Sequence, residues 1–87
     1  MKASKSQLED VLTEYDFVLA EVDKIIATTE ARIEDQRRQT RAMATDFDAG
    51  MKAVAELDDI TTALEKLKSY RAQLVGNKAE LEHSRIS

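Results

Sequence analysis

From Leu8 to Ile33 the chain repeats large apolar residues at helical spacing. Leu8, Val11, Leu12, Tyr15, Val18, Leu19, Val22, Ile25, Ile26 and Ile33 follow one another at steps of 3, 1, 3, 3, 1, 3, 3, 1 and 7, with Thr29 in the last gap. A strand would alternate with period 2, so this pattern predicts an amphipathic helix. Three heptad stripes run side by side: Leu8, Tyr15, Val22 and Thr29; Val11, Val18 and Ile25; Leu12, Leu19, Ile26 and Ile33. Together they form a face wider than one neighbouring helix covers. A second apolar pattern is narrower. Val54, Leu57, Ile60, Leu64, Leu67 and Leu74, with Arg71 in the gap, make a single stripe close to coiled-coil spacing.

Between the two patterns lies an unbroken polar stretch, Glu34 to Arg41. It reads either as a loop or as continuous helix. Continuous helix is favoured, because the stretch lacks Gly, Pro, Asn and Ser and is rich in the good helix formers Glu, Gln and Arg. A thin seam through it is Ile33, Thr40 and Phe47, with Met43 alongside.

Local signals set the expected ends. Ser6 and Glu9 have capping-box spacing, so the first helix is expected to span about 6–45. The turn is expected at about 46–50, where Gly50 suits a left-handed helix end and Thr45 or Asp48 suits the cap of the next helix. The second helix then runs from about 51 to 75. Gly76-Asn77 leaves two readings open: a break followed by a short third helix at about 78–85, or one helix passing through Gly76. The expected fold is all-α, a single domain built as an antiparallel, coiled-coil-like hairpin. Gly50 and the aspartates beside it favour this fold-back over a long parallel coiled coil. In the expected register Leu67 lies near Ile26 and Leu74 near Leu19.

Composition sharpens the picture. The chain has 87 residues, and 12 alanines account for much of its 43% hydrophobic content. A hairpin seam can be built from what remains, but an independent globular core would be thin, and small chains often compensate by oligomerising. There is no Cys, so disulfides and thiolate metal sites are absent. The net charge is -4. That is a poor electrostatic match for nucleic acid or an anionic membrane. No apolar run reaches the length of a membrane span. The first residues lack an apolar signal core, so a cytoplasmic location is expected, with signal-independent export left open.

Candidate chemistry is sparse. His83 is the single histidine, with Glu80 and Glu82 nearby, and reads as solvated rather than as a metal ligand. The adjacent carboxylates Glu9–Asp10, Glu34–Asp35 and Asp58–Asp59 point in different directions on a helix. Arg32, Arg37, Arg38 and Arg41 form a basic cluster without interleaved aromatics, which argues against a stacking platform for single strands. Within it, Glu34 and Arg38 are spaced for an i,i+4 pair. Phe17 falls off the main face and reads either as a partner anchor or as an ordinary exposed apolar residue. No enzyme activity and no cofactor are expected.

The expected function is therefore helix packing: a scaffold or interaction module that self-associates, dimer favoured, through Leu8, Val11, Leu12, Tyr15, Val18, Leu19, Val22, Ile25 and Ile26. The alternative is a small chaperone or secretion-type partner that takes an amphipathic helix of another protein on the same face. In size and helicity the chain broadly resembles the small helical hairpins that serve as secretion partners or chaperones. The Trp-X-Gly turn of one secreted hairpin family is absent, with Phe47-Asp48-Ala49-Gly50 in the comparable place. That family's secretion route does not carry over.

Overall fold

The computed structural model describes residues 5–86, with side chains described from 7 to 84. It is all-helical: α1 (Lys5–Ala42) folds back on α2 (Phe47–Ile86), and the hairpin measures 66 × 17 × 15 Å. Helix continues through the whole polar stretch 34–41, as its helix-forming composition favours. Ser6 is already helical, but its side chain lies outside the described residues, and the Ser6–Glu9 capping box with it.

The reversal occupies residues 43–46, earlier than the expected 46–50. It is built from helical-type hydrogen bonds. The Met43 N–H is shared between the carbonyls of Gln39 (3.0 Å) and Thr40 (3.2 Å), and the Asp46 N–H donates to the Met43 carbonyl (3.1 Å). Asp46 then caps α2: its carboxylate accepts from the Ala49 N–H at 3.2 Å. Asp48 adds negative charge to the first turn, where the helix dipole favours it. Neither Thr45 nor Asp48 is the cap.

Gly50 does not end a helix. It lies in the first turn of α2, and no described residue has positive φ. With the tight turn and the Asp46 cap completing the reversal, no left-handed residue is needed. A Cβ at Gly50 would instead sit 3.1 Å from the Met43 carbonyl oxygen, so glycine there permits the close approach of α2 to the end of α1. At Gly76 the open alternatives resolve toward continuity, and α2 runs unbroken to Ile86 with no separate third helix. A Cβ at Gly76 would meet nothing within 4 Å.

The core is a single seam. Leu12, Val22 and Ile33 of α1 and Ala53 and Leu64 of α2 are buried along it. Three threonines on the packed side keep their hydroxyls satisfied within their own helix: Thr29 donates to the Ile25 carbonyl (2.7 Å), Thr40 to Gln36 (2.7 Å) and Thr61 to Leu57 (2.8 Å). Gln36 is also buried and donates across the seam to the Ala53 carbonyl at 3.1 Å. The short Ala53 side chain leaves room for the glutamine. Two expected seam members lie outside the seam. Phe47 is 78% exposed and Val54 is 52% exposed, because the earlier turn gives the seam position to Ala53.

Candidate interaction surface

The seam divides the wide face of α1. Leu8, Leu12, Tyr15, Leu19, Val22, Ile26, Thr29, Ile33, Gln36 and Thr40 alternate at steps of 4 and 3, and all are buried or half-buried. This is the heptad rhythm of a coiled coil. It draws on the first and third stripes and extends them through the polar stretch. The matching positions on α2 are Ala53, Leu57, Ile60, Leu64, Leu67, Arg71, Leu74, Lys78 and Leu81.

The second stripe is left at the edge. Val11 is 44% and Ile25 49% exposed, and Val18 between them is half-buried. Tyr70 of α2 stands on the opposite bank, itself exposed. Together with Glu14, Tyr15 and Leu74, the residues Val11, Val18 and Tyr70 line a groove of about 180 Å³. Further toward the turn, Gln39, Ala49, Lys52 and Glu56 line the same side of the seam.

The other side of the seam is charged. Asp23 pairs with Arg71 at 2.5 Å, and Lys78 pairs with Asp16 at 2.5 Å and Glu82 at 3.5 Å. The hydrogen bond to Asp16, reinforced by the charges of Asp16 and Glu82, raises the Lys78 ammonium above its ordinary value near 10.5, against the opposing effect of desolvation. Arg71, the gap in the expected stripe, thus closes the seam with a charge pair instead of an apolar contact.

The remaining candidates are scattered. Phe17 is 63% exposed on the outer face of α1. Phe47, Met51 and Val54 join Thr40, Ala44, Asp46 and Gly50 around a separate groove of about 260 Å³ at the turn end. In the basic cluster, Arg37 pairs with Glu34 at 3.0 Å and Arg38 with Asp35, both at i,i+3. Glu34 therefore takes Arg37 instead of Arg38, and each carboxylate has one arginine on the next turn. Among the described residues no group of three His, Cys, Asp or Glu side chains is placed to hold a metal ion. None of the described helices is long and apolar enough to cross a membrane. The sequence reads Tyr70 as a seam residue with its hydroxyl reaching water, but it lies off the main stripe of α2 and is 47% exposed at the edge of the seam. The sequence matches no protein-family profile, no curated protein and no solved structure.

Proposed function

We propose that this protein is a non-enzymatic helix-packing module that self-associates through α1. The supporting observation is the heptad-spaced strip Val11, Val18 and Ile25, which α2 leaves at the edge of the hairpin beside Tyr70. Apolar residues in register along one edge form a continuous strip, unlike isolated exposed side chains. The rest of the wide face (Leu8, Leu12, Tyr15, Leu19, Val22 and Ile26) supports the strip from behind by fixing α1 on α2.

The test is the solution mass, measured by light scattering on a sizing column with circular dichroism on the same sample. The parent protein is expected to be a helical dimer. Ile25→Asp, at a half-exposed position, is expected to stay helical and fall to the monomer mass, since association would bury an unpaired charge. A parent that is monomeric at all concentrations would refute self-association and leave the strip for a helix of another protein.

A further inference from the structure

Resting on that reading, we infer that the second copy docks parallel to the first, with both turns at the same end and α1 of each copy lying over α2 of the other. The face in question is the side of the seam that carries Val11, Val18 and Ile25. The surface of the elongated hairpin as a whole leaves room for such a partner. The chain exposes 6779 Å², against roughly 5,200 Å² for a compact monomer of its mass. The excess is larger than the roughly 800 Å² per partner of a standard interface.

A dyad can bring this face onto itself in two ways. If the dyad runs along the hairpin, each α1 residue meets the residue that stands across from it in its own hairpin, but on α2 of the second copy. The internal register is given by the Gln36–Ala53 hydrogen bond and by Val18 and Tyr70 sharing one groove. At that register the exposed outer residues stand across in opposite-charge pairs: Glu21 with Lys66, Arg32 with Glu56, and Asp35 with Lys52. Val18 meets Tyr70 of the second copy. Glu21 and Asp35 already hold Lys24 and Arg38 on their own helix. Such exposed pairs contribute little, so both carboxylates remain available to the second copy.

If the dyad instead crosses the hairpin at Val18, the copies are antiparallel and α1 lies on α1. Val11 then faces Ile25, but Glu14 faces Glu21 of the second copy, and symmetry repeats this like-charge contact. Juxtaposed like charges select against an arrangement. Charge complementarity therefore favours the parallel dyad.

The chain has no cysteine, so Thr45→Cys in the exposed turn accepts a single spin label. In the parallel dimer the two turns sit side by side, and a label separation of roughly 25 Å is expected from packed interhelix spacings. In the antiparallel dimer the turns lie at opposite ends, roughly 80 Å apart at 1.5 Å per residue. Glu21→Lys is expected to weaken the dimer about three- to tenfold, and adding Lys66→Glu to restore it. A dimer whose labels lie beyond about 60 Å, or a Glu21→Lys dimer as tight as the parent, overturns this arrangement while leaving self-association intact. A parent without dimer mass overturns both.

Discussion

The two glycines occupy the same helix in different surroundings, so one substitution should act differently at each. Alanine is better than glycine in a helix interior by about 0.8–1.0 kcal/mol. At Gly76 the new methyl meets nothing within 4 Å, so Gly76→Ala should stabilise the protein by about that amount in urea denaturation. At Gly50 the methyl would press on the Met43 carbonyl oxygen at 3.1 Å. Backbone has to shift there, and Gly50→Ala should bring no gain. Equal gains at both positions would show that the contact at the turn is easily relieved. Gln36 teaches a related lesson. Within Glu34 to Arg41 its type does not set it apart from its neighbours. Its position does, seven residues after Thr29 and three after Ile33, in the 4 and 3 rhythm of the seam. A polar residue at such a position fixes register when it finds a specific partner, and here that partner is the Ala53 carbonyl.

Register is also where the sequence was least legible at the level of whole elements. Two helices and the continuity of α1 through its polar stretch follow from periodicity and helix propensity, whereas the fold-back was expected from Gly50 and the aspartates beside it. The position of the turn does not follow, because Thr45, Asp46 and Asp48 are all able to cap a helix within four residues of chain. The cap at Asp46 moves the reversal forward, and the helices slide by about one turn. Leu74 accordingly shares a groove with Tyr15 and Val18, where Leu19 was the expected neighbour. On the other side of the seam Lys78 pairs with Asp16 and Arg71 with Asp23. Because the Lys78 ammonium is raised in the folded chain, its contribution is complete below pH about 10.5. That contribution is lost as the pH climbs through the folded value. The melting midpoint of the parent should therefore fall faster above pH 10.5 than that of Lys78→Met, in which this linkage is absent. Parallel curves for the two proteins would mean that the Lys78–Asp16 pair contributes nothing to the fold.

For the whole molecule, what matters is how little the hairpin buries by itself. None of the described side chains falls below 2% exposure, and the buried core is confined to one line of residues. Two-layer packing of this kind leaves each helix with one covered side, and a second hairpin would supply the missing layer. The apolar width of α1 was readable from its three stripes. Which stripe stays uncovered depended on the register of α2, and so emerged only with the fold. If self-association completes the structure, stability is tied to mass action. A tenfold rise in protein concentration then stabilises the dimer by about 1.4 kcal/mol. For an assembly of this size that should raise the melting midpoint by roughly 4 °C. Ile25→Asp, held as a monomer, should melt at a lower temperature that does not change with concentration. Replacing Arg37 and Arg38 with Ala removes two pairs that lie within α1 itself, and should leave the concentration dependence of the parent unchanged. If that double variant lost the dependence, the interface would lie along the basic stretch, and the strip from Val11 to Ile25 would be an exposed edge without a binding role.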